Sequence, residues 1–200
     1  MVCSAFFAPS TTDEIFHLFF GDRLQPFFYT GFLRMKAGII SDTHLADPLA
    51  CRHLAASLLA SCFADVDLIL HAGDIGNPEL LFHFAPLDVL AVGGNTDTPH
   101  DELPGFRTIG IEGSRVGLVH GWGGSSGLES RLQAHFAEKT LDVLIFGHSH
   151  TPVCRKTGGL LLFNPGSPTQ PRSASGPTVG LINFNHGKVT GNIISCRDLI

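Results

Sequence analysis

Long apolar runs, basic clusters, paired cysteines and glycine-rich phosphate loops are all missing from this 200-residue chain. No stretch approaches the roughly 18 apolar residues that a bilayer-spanning helix needs. Asp13 and Glu14 stand where a secretory leader would carry positive charge and then an apolar core. The 13 Lys and Arg against 18 Asp and Glu give a formal charge of -5 with no basic run, so a long nucleic acid held by its phosphates is not an expected partner. Five cysteines (Cys3, Cys51, Cys62, Cys154 and Cys196) are odd in number and form no C-x-x-C pair, which argues against a disulfide framework and a thiolate zinc knuckle. A reducing, cytoplasmic setting is the expectation. Neither a P-loop nor a dinucleotide-binding glycine pattern occurs, which places a nucleotide-binding regulator last among the functional classes.

What is present is core material. With 44% hydrophobic and 16% charged residues, the chain can bury one good core and is too short for two ordinary domains. Residues 1–34 hold paired phenylalanines broken by Pro and Gly, with a short possible helix near Thr12–Phe20 capped by Thr11 or Thr12. They carry no motif, and Met35-Lys36 leads directly into an Ile-rich strand. Residues 1–34 are therefore expected to be an N-terminal extension or to lie ahead of the true start, and residues 35–200 to form one domain. The alternative for residues 1–34 is an extra helix packed on the surface through its Phe residues, or an amphipathic membrane contact.

The stretch Gly38-Ile39-Ile40-Ser41-Asp42-Thr43-His44 is a buried-strand pattern that stops at an Asp and a His two residues apart. On an extended backbone these two side chains share a side and could bind one cation. A helix is expected over Asp47–Phe63, with Asp47 as N-cap and Pro48 at its first position. Strands at Leu68–Leu70 and Val89–Val92 flank a short helix at Pro78–Phe84, a parallel doubly wound pattern. Phe106–Ile111 and Arg115–Val119 read as a hairpin, Ser126–Ala137 as a helix and Leu141–Phe146 as a further strand. Leu160–Phe163, Val179–Phe184 and Val189–Ile194 read as antiparallel strands of a second sheet, with Asn164–Pro177 as one long loop.

Asp42, His44, Asp74, Asn95, His120, His148 and His150 all fall at or just past the ends of these runs. In an open α/β sheet the C-terminal strand ends form the rim where ligands collect. Singly, each has a plain reading as a turn residue or a hydrogen-bonded histidine. Their shared placement favours a site.

The strings D-T-H at 42–44, G-D at 73–74, G-N-T-D at 94–97, H-G at 120–121 and G-H-S-H at 147–150 resemble, in order, the calcineurin-like metallophosphoesterase signature. The start M-K-A-G-I-I-S-D-T-H-L and the loop N-P-G-S-P-T-Q-P-R at 164–172 further resemble the small YfcE-like phosphodiesterase group. The resemblance implies an α/β fold, a two-sheet β-sandwich flanked by helices. It implies hydrolysis of a small phosphate ester, most simply a diester, by a hydroxide bridging two divalent metal ions. Manganese is the implied metal, with iron or zinc as alternatives; a ligand set of oxygen and imidazole without thiolate agrees. By motif position, Asp42, His44 and His150 would hold one ion, Asn95, His120 and His148 the other, and Asp74 would bridge them. Asn95, His120 and Asp97 are the residues expected to serve the reaction itself, Asn95 by touching phosphate and Asp97 by orienting a ligand or capping a turn.

Two positions depart from the pattern. Thr96 follows Asn95 where many relatives carry a histidine that serves the leaving group, which leaves that proton unassigned; His71 and His100 are candidates by sequence proximity alone. Trp122 stands where relatives carry His or Asp, as a substrate wall or as core. His17, His53, His83, His135 and His186 read as structural or surface residues, and Ser167 and Arg172 as loop anchors or substrate contacts. The competing class is a non-catalytic interaction scaffold on the same fold, with a homo-oligomer compatible with either reading. The intact G-H-S-H string favours catalysis.

Overall fold

The computed structural model describes residues 28–29 and 34–197. The helix expected near residues 12–20, the role of most of residues 1–34, Cys3 and His17 lie outside the described residues. In chain order the strands are β1 (Phe28–Tyr29), β2 (Met35–Ile40), β3 (Leu68–His71), β4 (Asp88–Ala91), β5 (Phe106–Ile111), β6 (Ser114–Val119), β7 (Val143–Ile145), β8 (Val153–Thr157), β9 (Leu160–Asn164), β10 (Thr178–Asn185) and β11 (Lys188–Ser195). The helices among the described residues are α1 (Pro48–Leu59), α2 (Glu79–Phe82) and α3 (Leu128–His135). None is long and apolar enough to cross a membrane.

The strands form two sheets, ordered β11-β10-β2-β3-β4 and β1-β5-β6-β7-β9-β8. Alternation of side chains along each strand builds the layers. Ile39, Leu68 and Leu70 of the first sheet meet Ile109, Val116, Leu118, Val143, Ile145 and Phe163 of the second in the central core. The alternate residues Ile40 and Ile69 face outward onto Leu54 and Leu58 of α1 and Leu80 and Leu81 of α2. On the far side, Leu144 and Leu162 face Leu128 and Leu132 of α3. Strands buried on both faces are apolar along most of their length, which is why β7 and Leu68–Leu70 of β3 read as continuous hydrophobic runs. The result is the α/β, helix-flanked two-sheet sandwich expected from sequence.

Several local expectations are corrected. Strands β10 and β11 do not build the second sheet: β10 pairs antiparallel with β2, and β11 pairs with β10, extending the first sheet. Of the three tail strands, only β9 enters the second sheet, between β7 and β8. Strand β8 lay unrecognised in the sequence because its residues are largely exposed and carry no apolar alternation. The Gly158-Gly159 pair was the usable signal, since both glycines have positive φ and close the β8–β9 hairpin. The same two-residue device recurs at Glu112-Gly113 and His186-Gly187. Helix α2 is a single turn, shorter than the expected 78–84. At α1, Asp47 caps as expected, its side chain accepting from Leu49 N.

The arrangement decides where a site can lie. Parallel strands β2, β3 and β4 end on the same rim as β6, β7 and β9 of the facing sheet, with β6, β7 and β9 mutually parallel. Past the strand ends the loops stay tied to one another. Asp42 N donates to Gly73 O at 3.0 Å, His44 N to Asp74 O at 3.0 Å and Gly147 N to His120 O at 3.0 Å.

Candidate metal centre

At this rim Asp42 and His44 follow β2, Asp74 follows β3, Asn95 follows β4, His120 follows β6, and His148 and His150 follow β7. Asp42, Asp74, His120 and His150 are buried, His44 and His148 are half-buried, and Asn95 is exposed. The site therefore has a sealed floor and one open side.

Backbone conformation marks the same residues. Seven non-glycine residues among those described have φ in the left-handed region, and five of them are Asp42, His44, Asp74, His148 and His150. Each such residue costs on the order of 1 kcal/mol or more, and strain of this kind persists where surrounding structure imposes it. The cost is concentrated on the set of candidate ligands.

Hydrogen bonds fix which imidazole nitrogens face inward. A backbone carbonyl only accepts, so the ring nitrogen against it must carry the proton. His120 Nδ1 donates to Ala72 O at 2.8 Å, His150 Nδ1 to Gln170 O at 2.7 Å and His148 Nε2 to Gly123 O at 2.5 Å. In each neutral ring the other nitrogen is a bare lone pair. The lone pairs point at acceptors. His150 Nε2 lies 3.3 Å from Asp42 Oδ1 and 3.2 Å from His44 Nε2. His120 Nε2 lies 3.3 Å from Asp74 Oδ2 and 3.2 Å from Asn95 Oδ1, and His148 Nδ1 lies 2.9 Å from the same Asn95 oxygen. Acceptors converging on acceptors need a shared proton or a cation between them.

The charges tell the same story. Burial, the largest influence, pushes the Asp42 carboxyl up to about 6 even though His120, Ser41 and His148 N–H favour its charged form. Burial also acts against the Asp74 carboxylate, but a second proton taken up on His120 Nε2 and shared with Asp74, together with the hydrogen bond from Thr96 N–H, outweighs it and holds Asp74 below the usual carboxylate range. His120 is raised: burial alone would lower it, and its bond to Asp74 with the nearby Asp42 charge reverses that. Without a metal this cluster competes for protons. The donor atoms of Asp42, His44 and His150 lie within 4.8 Å of one another, as do those of Asp42, Asp74 and His120. Asp42 belongs to both groups, and Asp74 Oδ2 reaches from the second toward the first, 3.3 Å from His120 Nε2 and 3.4 Å from His44 Nε2. The donor set thus fits divalent cations chemically, with oxygen and imidazole only.

Other candidates are redirected by the structure. Asp97 does not touch a ligand side chain; its Oδ1 accepts from Ile75 N at 2.8 Å and Gly76 N at 3.1 Å, and its Oδ2 from Gly94 N at 2.8 Å. It clamps the loops after β3 and β4 together. Thr96 N donates to Asp74 Oδ1 at 2.9 Å, a contact carried by the backbone and so invisible in the residue type. Ser167 is buried and anchors its loop, donating to Asp42 O at 2.7 Å and accepting from Gln170 N at 2.8 Å. Trp122 is not core: it is 43% exposed and packs edge-on against His135.

His71 is not a proton donor to a leaving group. It is fully buried; Gly73 N donates to its Nδ1 at 3.2 Å, so Nε2 carries the proton and gives it to Thr43 Oγ1 at 3.1 Å. Thr43 in turn donates to Ile75 O at 2.8 Å, which cross-ties the loops carrying Asp42 and Asp74. Burial, the main cause, pushes the His71 imidazole down to about 3. The unfolded chain binds this proton below pH 6.5, and the folded protein refuses it until about pH 3. The contribution is thus whole above pH 6.5 and falls by about 1.4 kcal/mol per pH unit on acidification. His71→Gln removes this titration. Urea denaturation at about pH 7.5 and 5.5 should show wild type losing about 1.4 kcal/mol more stability than the variant between the two.

Comparison with known proteins agrees with this geometry. The calcineurin-like phosphoesterase superfamily domain matches residues 35–187. A probable metallophosphoesterase of Methanothermobacter thermautotrophicus is 38% identical over 172 residues, 82% of this chain and 98% of that protein. The phosphodiesterase YfcE of Escherichia coli is 30% identical over 103 residues, 48% of this chain and 52% of its own length. Its solved structure aligns with 80% of this chain and 99% of that one at a TM-score of 0.56 and 22% identity. A predicted phosphoesterase from Streptococcus pneumoniae TIGR4 aligns with 82% of this chain and 91% of that one at a TM-score of 0.63 and 19% identity. On this match, which covers most of the chain, the protein belongs to the calcineurin-like phosphoesterase superfamily.

Proposed function

We propose that this protein is a metal-dependent phosphodiesterase that hydrolyses a small phosphate diester to a monoester and an alcohol. The observation that carries the reading is the set of imidazole lone pairs turned inward by carbonyls on their opposite nitrogens, onto Asp42, Asp74 and Asn95. Asp42, His44 and His150 would hold one divalent ion, Asn95, His120 and His148 a second, and Asp74 both. Two such ions would lower the pKa of bound water to make a nucleophile at neutral pH and would stabilise charge on the phosphoryl oxygens.

The protein's own part is to hold the donors rigid. Ser41 Oγ donates to Asp42 Oδ2 at 2.8 Å and Thr96 N to Asp74 Oδ1 at 2.9 Å, so each carboxylate presents its other oxygen inward. Asn95, neutral and exposed, adds an oxygen without adding negative charge, which leaves the site more attractive to an anionic substrate. A diester suits this site because one nonbridging oxygen suffices to hold it. A monoester with a poor leaving group depends more on a proton donor, and the position after Asn95 is Thr96.

Hydrolysis of bis(4-nitrophenyl) phosphate and 4-nitrophenyl phosphate, measured after chelation and again with added manganese, tests both parts. The diester is expected to turn over faster, and only with metal. Faster monoester turnover sinks the substrate class; turnover that survives chelation sinks the metal-dependent reading.

A further inference from the structure

The loop from His120 to Gly127 joins β6 to α3, and four of its eight residues, Gly121, Gly123, Gly124 and Gly127, are glycine. Gly121, Gly123 and Gly127 take positive φ. Glycine loses more conformational freedom than any other residue on ordering, so a segment of this composition does not hold one shape through its own side chains. It nevertheless supplies an atom that the centre uses: Gly123 O accepts from His148 Nε2 at 2.5 Å. That bond fixes the His148 tautomer and turns Nδ1 toward Asn95 Oδ1, 2.9 Å away.

The shape comes from Arg131 on α3. Its Nη1 donates to Ser126 O at 2.8 Å, and its Nη2 donates to Trp122 O at 2.9 Å and to Gly124 O. The carbonyls on either side of Gly123 are thus held by one nitrogen. The guanidinium also lies against the Gly123 backbone, where an added methyl would sit 3.4 Å from Nη2. A planar fork can serve several carbonyls in one fixed arrangement, whereas a lysine ammonium is a single point on a flexible stem. We propose that Arg131 is a positioning residue: by fixing the backbone from Trp122 to Ser126 it aims Gly123 O at His148 and so sets the second cation pocket. The proposal rests on the reading that Asn95, His120 and His148 bind a cation.

Arg131→Met and Arg131→Lys, made in the full chain with 15N-labelled histidine, test it. In metal-free wild type, long-range proton–nitrogen correlations should show His148 protonated at Nε2 and bare at Nδ1. In Arg131→Met the His148 signals should move to a mixture of tautomers while those of His150, held by Gln170 O, stay in place. Calorimetric titration with manganese should then show one of two sites weakened about 10- to 100-fold and the other unchanged. Arg131→Lys keeps a cation at the loop without the fork and should weaken the same site, which covers the case in which the methionine variant fails to fold. Wild-type His148 shifts with both affinities unchanged in the folded variants overturn the role of Arg131. Wild type that takes up fewer than two manganese ions overturns the two-ion reading instead, and the His148 shifts then still decide whether Arg131 sets the ring.

Discussion

Asp74→Ala is expected to lower kcat/KM toward a phosphate diester by about three orders of magnitude, equivalent to about 4 kcal/mol of transition-state stabilisation. Asp74 Oδ2 is the oxygen positioned between His44 and His120, at 3.4 and 3.3 Å, so its loss should weaken both of the proposed cation pockets together. Asp74→Asn separates charge from shape. The amide oxygen can still accept from Thr96 N, the contact made by Oδ1. The fold should therefore survive in the asparagine variant while the hydrolysis rate falls nearly as far as in the alanine variant. The metal-free proteins carry a pH signature. Because the folded protein holds the Asp74 carboxyl below its ordinary value, the charged group adds stability above the unfolded pKa near 4, and this is lost as pH falls through the folded pKa. Both variants should lose that acid-sensitive part. Hydrolysis rates with added manganese and urea denaturation of chelated protein measure the two effects. An Asp74→Asn enzyme of near wild-type rate would remove the bridging carboxylate from the mechanism.

The sequence made the candidate site legible because its residues end apolar runs, and a parallel sheet turns that one-dimensional fact into a common rim. Asp42, Asp74 and His120 each follow a buried strand directly or within three residues, and the structure brings them together at its floor. The two-sheet architecture was legible for a related reason, since β7 is apolar throughout and β3 is apolar up to its last residue, His71. Strand partnership was not. Whether β10 joins β2 or β9 depends on long-range pairing that leaves no local pattern, and β10 alternates just as an edge or inner strand would. The supporting contacts were also hidden, because they run through backbone atoms. Gly123 O, Gln170 O, Ala72 O and Thr96 N orient ligands whatever side chains those residues carry. Asp97 read equally as a ligand-orienting carboxylate or a turn cap, and it holds three backbone N–H groups as a cap does, a choice that residue type cannot distinguish.

Gly147→Ala is expected to damage the centre as severely as loss of a ligand, although it removes no functional atom. A methyl at Gly147 would overlap Ser41 Oγ and come within 2.7 Å of Asp42 Oδ2 and 3.1 Å of Ala72 O. None of these neighbours can give way freely. Ser41 Oγ is hydrogen-bonded to Asp42 Oδ2, both Asp42 oxygens accept from His148 N at 3.1 Å, and Ala72 O is the acceptor that orients His120. Relief must come either from rotation of Asp42 out of its pocket or from retreat of the Gly147–His150 loop, which carries two candidate ligands. Overpacking of this kind costs about 1–3 kcal/mol in stability. Either relief also separates the Asp42 and His150 donors, now 3.3 Å apart, so hydrolysis should fall by at least about two orders of magnitude. Gly105 is the matched control: a methyl there meets nothing within 4 Å, and its φ lies outside the left-handed region. Gly105→Ala should leave melting temperature and rate near wild type. Melting curves with and without manganese separate the two components for Gly147→Ala. A folded variant whose manganese-dependent stabilisation matches wild type would show that the loop absorbs the methyl without moving Asp42. The expected result is a lower melting temperature and a smaller manganese response, because the backbone at Gly147 passes where the Asp42 carboxylate leaves no room for a side chain.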